Sequence, residues 1–251
     1  MARINQGILM KLSYSQVWAD TMAMLRAHRP LVLPVAGMFL FLPALLMGYF
    51  VPQPELEQGE IIRSAFEHYA ANWHWVMLAN IANMVGAVAI FLMVFDREGR
   101  TVGNAIAASL PILPAYFVAD VLSSLMISIV AFLIVPALYL LGRLSVVGPV
   151  VVAAGERNPI RAIGRSLELT KGNGWAVAGL VVLVGAAGLI AGFALSATLG
   201  SVILVVASEG VARLLIAILS AVVSAALSTV LVLLYAGLYR HLSGAETISG
   251  T

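Results

Sequence analysis

The sequence predicts an all-α polytopic membrane protein with about six transmembrane helices arranged as three hairpins. Of its 251 residues, 61% are hydrophobic and only 10% are charged, and the mean hydropathy is +1.01. A soluble domain carries about 25% charged residues, so lipid must cover much of this surface. This composition excludes soluble enzymes, β-sandwiches and disordered chains, and the absence of cysteine excludes disulfides and thiolate metal sites.

Six apolar segments have about the 20 residues that a spanning helix needs. We expect them to form a single integral membrane domain over 1–251, with spans at about 31–50, 73–95, 110–126, 127–150, 176–196 and 212–239. Only Ser123, Ser124 and Ser128 mark the turn between the third and fourth spans. Residues 197–210 are compatible with a loop, a re-entrant turn or a longer fifth helix.

A short, partly amphipathic segment precedes each odd-numbered span, at about 13–29, 101–110 and 158–172. Ser13 and Gln16 have capping-box spacing at the first segment, and Pro30 is predicted to end that helix. The second and third segments share a small pattern, in which Ala105, Ile106, Ser109 and Leu110 correspond to Ala162, Ile163, Ser166 and Leu167. The sequence therefore predicts three units, each an interfacial helix followed by a hairpin.

The basic residues indicate how the chain is oriented, because Lys and Arg collect in short cytoplasmic loops. With both termini in the cytoplasm, only Arg63 and Arg213 fall outside, and Arg143 lies within a span. The cytoplasmic side then holds Arg3, Lys11, Arg26, Arg29, Arg97, Arg100, Arg157, Arg161, Arg165, Lys171 and Arg240. Four acids, Glu55, Glu57, Glu60 and Glu67, lie in the outer loop.

Residues 156–175 carry the clearest local signals. Asn158 is a suitable N-cap and Pro159 suits the first helical position, while Gly172 can adopt the left-handed conformation that ends a helix. Ile160, Ile163 and Leu167 are predicted to share an apolar face. Trp175 suits the water–lipid boundary of the fifth span.

This segment resembles the signature of a bacterial six-span membrane family related to the membrane domain of glycerophosphoryl diester phosphodiesterases. The resemblance rests on Pro159, Ala162, Arg165, Ser166, Leu169, Thr170, Gly172, Asn173 and Trp175, and more loosely on Pro136, Tyr139, Arg143 and Pro149. Leu167 departs from it, since the family usually has Trp there. The resemblance implies a multi-pass protein of the bacterial inner membrane. It does not imply the phosphodiesterase activity, which belongs to a separate soluble module in some members.

Two interpretations of the third amphipathic segment stay open. Its basic residues, with Trp175 as an anchor, would bind anionic lipid head groups or a membrane partner at Arg157, Arg161, Arg165 and Lys171. Alternatively, these residues only fix the topology and pair with Glu156 or Glu168.

Polar side chains inside spans are functional candidates, since they are costly in hydrocarbon. Asp120 and Arg143 are expected at similar depths. Either they contact each other across two spans, or Arg143 extends to the cytoplasmic interface and Asp120 faces a polar cavity or the outer boundary. Asn80 and Asn83 share one helical face and would bond to a neighbouring helix. Ser220, Ser224 and Ser228, and the pair Gly188 and Gly192, are typical of close helix packing.

We therefore expect a non-enzymatic structural or accessory membrane protein that contacts lipids, and possible partners include another membrane protein or a second copy of the chain. No phosphate-binding, nucleophile or metalloprotease motif is present, and we expect no cofactor, metal or nucleic acid. A small transporter or channel subunit using Asp120 and Arg143 is the first alternative. A lipid-modifying enzyme is the second, and only His68, His74 and Glu67 would suit it.

Overall fold

The computed structural model describes residues 12–51, 61–96 and 99–249. Arg3, Lys11 and Arg97, and the loop acids Glu55, Glu57 and Glu60, lie outside these residues. The helices are α1 Tyr14–Phe50, α2 Ile61–Ala71, α3 Trp73–Phe95, α4 Val102–Ser109, α5 Leu113–Val130, α6 Ile134–Ala153, α7 Pro159–Leu169, α8 Gly174–Val206 and α9 Glu209–Ser249.

The predicted fold class is confirmed: the structure is 88% helical, without strands in its described part, and six helices are long and apolar enough to cross a membrane. They are α1, α3, α5, α6, α8 and α9. Large apolar side chains such as Phe132, Phe193 and Val205 point outward, as expected of a protein whose solvent is lipid. The largest buried side chains, including Phe91, Ile90 and Leu234, lie on α3 and α9.

The first helix does not end at Pro30, which corrects the predicted boundary between segments 13–29 and 31–50. It continues through Pro30 and Pro34 to Phe50, with a π-helical turn at Gly37–Phe41. Proline removes a backbone donor, but spanning helices tolerate it when neighbours pack on both sides and local π adjustments absorb the misfit. Buried Val17 and Val35, on either side of the prolines, provide this packing.

Two further boundaries differ from those predicted. The turn between the third and fourth spans lies at Ala131–Leu133, after the serines expected to form it, because Ser123 donates to the Ala119 carbonyl at 2.7 Å and stays helical. Residues 197–206 extend α8, so the longer fifth helix is the correct alternative. At 33 residues, α8 is roughly 50 Å long, which exceeds the roughly 30 Å of the hydrocarbon core.

The three amphipathic segments lie at one end of the bundle, and each packs on a spanning helix. In each segment, two residues four positions apart are fully buried. These pairs are Val17 and Thr21, Ala105 and Ser109, and Ala162 and Ser166. The first packs on α9, the second on α3 and the third on α6. Leu12 contacts Asn173, and Arg240 contacts Val94, so the first described residue and the Arg240 turn of α9 lie at this same end.

Candidate functional site

Helix α7 begins as its sequence predicts. The Asn158 side chain accepts hydrogen bonds from the backbone N–H groups of Ile160 and Arg161, at 3.0 and 3.3 Å. Gly172 is left-handed, with φ of 83°. Gly172 therefore turns the chain from α7 into α8 without the strain that a side chain would add.

The buried face of α7 is rotated from the predicted one. Ala162, Ile163, Ser166 and Leu169 are buried, whereas Ile160 is 73% exposed and Leu167 is only half-buried. Ala162 and Ser166 are small, which allows α7 to approach α6 closely, and the Ser166 hydroxyl donates to the Arg143 carbonyl at 2.7 Å. Ile163 alone of the three predicted apolar positions is in the core.

The exposed side of α7 carries basic and apolar side chains together. At its first turn, Ile160 lies between exposed Arg157 and Arg161, and after its last turn exposed Lys171 precedes Trp175, which is 61% exposed. We call these five residues the basic edge. Among the described residues, Arg157, Arg161 and Lys171 form no ion pair, so their charges are available to an anion.

Arg165 differs from the other basic residues of this segment. Its guanidinium lies 3.3 Å from the Glu168 carboxylate, as one of the two sequence interpretations proposed. Arg161 and Arg165 also line a hollow together with Glu156 and Glu168. Glu168 therefore neutralises Arg165, and Arg165 does not belong to the basic edge.

Arg143 joins α6 to the end of α7. Its guanidinium donates to the Thr170 hydroxyl at 3.1 Å, to the Tyr139 hydroxyl at 3.4 Å and to the Leu167 carbonyl. The last carbonyls of a helix lack partners within the helix and attract cations. Arg143 is therefore a structural clamp on α7. No ion pair joins it to Asp120 among the described residues, so the structure favours the alternative in which these two residues lie apart.

Asp120 lies at the boundary of two spaces in the bundle. One is a hollow of about 230 Å³ between α3, α5, α6 and α9, and the other is an open groove of about 660 Å³ between α3 and α5. Asp120 and Ser124 line both. The polar lining of the hollow, which we call the polar hollow, consists of Tyr116, Asp120, Ser123, Ser124, Ser145 and Tyr235.

The two intramembrane asparagines do not act as a pair. Asn80 lines the groove with Asp120, but its amide donates to the Val76 carbonyl of its own helix at 3.0 Å rather than to a neighbouring helix. Asn83 is half-buried and lines neither space. Asp120 and Asn80 thus meet at the groove, whereas Arg143 and Asn83 lie apart from it.

The histidines proposed for enzyme chemistry are held by ordinary contacts. His74 lies against Trp73 and Trp75, with ring centroids 6.1 and 5.6 Å away, and Glu67 forms an ion pair with Arg63 at 2.8 Å. Among the described residues, no group of three or more His, Asp or Glu side chains could hold a metal ion. The aromatic contacts of His74 and the ion pair of Glu67 thus account for two of the three side chains proposed for this chemistry.

Sequence reasoning missed the hydroxyl groups around Asp120, although their spacing carried the signal. Tyr116, Asp120, Ser123 and Ser124 recur at i, i+4, i+7 and i+8, which places them on one face of α5. The same serines also favour a turn, and the turn interpretation hides this polar face. Tyr235 and Ser145 come from other helices, and only the packing brings them there.

The scan against protein-family models found no match, and the searches of curated proteins and of solved structures found no similar protein.

Proposed function

We propose that this multi-pass membrane protein has a non-enzymatic accessory role in which the basic edge binds the head groups of acidic phospholipids. The observation that carries the proposal is the pairing of exposed apolar and basic side chains at both ends of α7. Ile160 and Trp175, exposed by 73% and 61%, suit the hydrocarbon boundary, and the adjacent Arg161 and Lys171 suit phosphate groups. This is the composition of a surface that lies in a membrane interface.

The rigid docking of α7 supports the proposal. Arg143 and the buried Ala162–Ser166 face fix α7 against α6, so the basic edge is held in place before a lipid arrives. A preorganised surface loses less conformational entropy on binding than a mobile one. Placing the basic edge and both termini at the cytoplasmic face, as the distribution of charges predicts, would expose it to the anionic leaflet.

Removing the two charges that flank the apolar side chains tests the proposal. We expect the Arg161→Gln/Lys171→Gln variant to retain less phosphatidylglycerol than wild type. Each basic residue near an anionic surface contributes about 1 kcal/mol, so the double variant should lose roughly thirtyfold in affinity. The measurement is native mass spectrometry of protein released from nanodiscs that contain equal amounts of phosphatidylglycerol and phosphatidylcholine.

The matched control is the Arg165→Gln/Glu168→Gln variant, which changes the same helix without changing its net charge. We expect it to retain phosphatidylglycerol like wild type, because it removes an exposed ion pair of little energetic value. Equal retention of both lipids by wild type, or unchanged retention by the Arg161→Gln/Lys171→Gln variant, would contradict head-group binding. The basic residues would then serve only to set the topology.

A further inference from the structure

The polar hollow presents hydrogen-bond acceptors and a carboxylate to its interior. The Ser123 hydroxyl donates to the Ala119 carbonyl and the Ser145 hydroxyl donates to the Gly142 carbonyl, each at 2.7 Å. A hydroxyl group has one donor hydrogen and two acceptor lone pairs, so these two serines offer acceptor capacity to a ligand. Together with the Asp120 carboxylate, these oxygen atoms make the lining electronegative, which suits a cation.

No cationic side chain among the described residues neutralises the Asp120 carboxylate. Among the described residues that line the hollow or the groove, none is Lys, Arg or His, and Arg143 is engaged by Thr170, Tyr139 and Leu167. A carboxylate within a span is costly unless it is paired. Asp120 is exposed and lines both spaces, which leaves its carboxylate accessible to a cation that enters the groove.

The remaining lining favours an organic ammonium ion over a bare metal ion. The rings of Phe91, Tyr116 and Tyr235 line the same hollow, and aromatic faces attract ammonium groups. The volume of about 230 Å³ corresponds to roughly eight molecules of liquid water. A bare ion bound by one carboxylate would leave most of this space to water, whereas a small ammonium ion with its alkyl groups would fill more of it.

The groove between α3 and α5 provides the route of access. It is open along one side. Tyr69 and Trp73 line the end of the groove that is farthest from α7. Asp120 and Ser124 line both spaces, so a molecule that reaches them in the groove is next to the hollow.

We propose that the polar hollow binds a small organic ammonium ion, with Asp120 as its counter-charge and the aromatic rings as its walls. This site is separate from the basic edge and does not depend on its function.

Binding of radiolabelled tetramethylammonium to the purified full chain in nanodiscs tests this site, because that ion keeps its charge at every pH. We expect saturable binding by wild type and a loss of about tenfold or more in affinity for Asp120→Asn, since the desolvated charge pair contributes most of the binding. The matched control is Asp20→Asn, an exposed acid on α1, which should bind like wild type. Ser124→Val should weaken binding severalfold, because it removes an oxygen atom whose partial negative charge attracts the cation where the groove meets the hollow.

Each outcome decides the proposal. Asparagine has nearly the shape of aspartate and carries no charge, so Asp120→Asn should fold, which its elution profile and thermal unfolding would show. Absence of saturable binding by wild type, or equal binding by wild type and Asp120→Asn, would overturn the site. A competition experiment in choline-free buffers of constant ionic strength distinguishes an ammonium ion from a bare cation. If sodium ions displace tetramethylammonium when both are present at the same concentration, the site binds a bare cation and the ammonium assignment is overturned.

Discussion

The Gly142→Ala variant is expected to unfold much more readily than wild type, although it adds a single methyl group. A Cβ atom at Gly142 would lie 2.6 Å from the Cβ of Ala178 and closer still to its Cα. Because the obstacle includes backbone of α8, it cannot rotate away as a side chain would. Overpacking of this kind costs about 1–3 kcal/mol, and we expect a value near the upper limit. Denaturation by SDS in mixed micelles, followed by circular dichroism, would measure it.

Gly185→Ala on α8 is the matched control, since a Cβ atom there would meet nothing within 4 Å. The same substitution should leave stability unchanged or raise it by about 0.5–1 kcal/mol, because alanine is the better helix former. Gly188 provides an intermediate case, in which the added atom would meet the flexible side chain of Leu227. A Gly142→Ala variant as stable as Gly185→Ala would show that α6 and α8 do not pack as closely as described.

The existence of the helices could be predicted from the sequence, but some of their boundaries could not. In water, proline ends helices and serine favours turns, because an unpaired backbone group can bond to solvent. Pro30 and the serines near 123–128 therefore predict helix boundaries. In lipid, the backbone must find its partners within the helix, so α1 continues through two prolines and Ser123 bonds to its own turn. The sequence rules that predict these boundaries apply to helices in water and not to helices in lipid.

The site could be predicted only where its residues are neighbours in the sequence. The Asn158 cap and the left-handed Gly172 depend on local conformation, so the local sequence predicts both, and the structure confirms them. The contact of Gly142 with Ala178 depends on how α6 meets α8. The small residues Gly174 and Ala178 at i, i+4 are typical of close helix contacts in membranes, but they do not identify the helix that α8 contacts.

The Arg143→Met variant is expected to release α7 while the spanning helices stay folded. Methionine retains much of the apolar length of arginine but donates nothing to Thr170 or to the Leu167 carbonyl, which the guanidinium joins in the native chain. Hydrogen bonds to a charged group contribute about 1.5–3 kcal/mol, so local opening of α7 should become roughly thirtyfold more frequent. Hydrogen exchange of the α7 amides, measured by mass spectrometry in nanodiscs, would report this.

Arg240→Met is the control, because Arg240 makes an equivalent contact at the end of another helix. Its guanidinium donates to the Val94 carbonyl at 2.5 Å and lies 5.6 Å from the centre of the Phe95 ring. The Arg143 guanidinium similarly lies 5.7 Å from the centre of the Tyr139 ring. Arg240→Met should therefore speed exchange at the end of α3 and leave α7 protected. If Arg143→Met leaves α7 equally protected, the buried Ala162–Ser166 face is sufficient to hold α7. The basic edge would then owe its position to packing rather than to the guanidinium clamp.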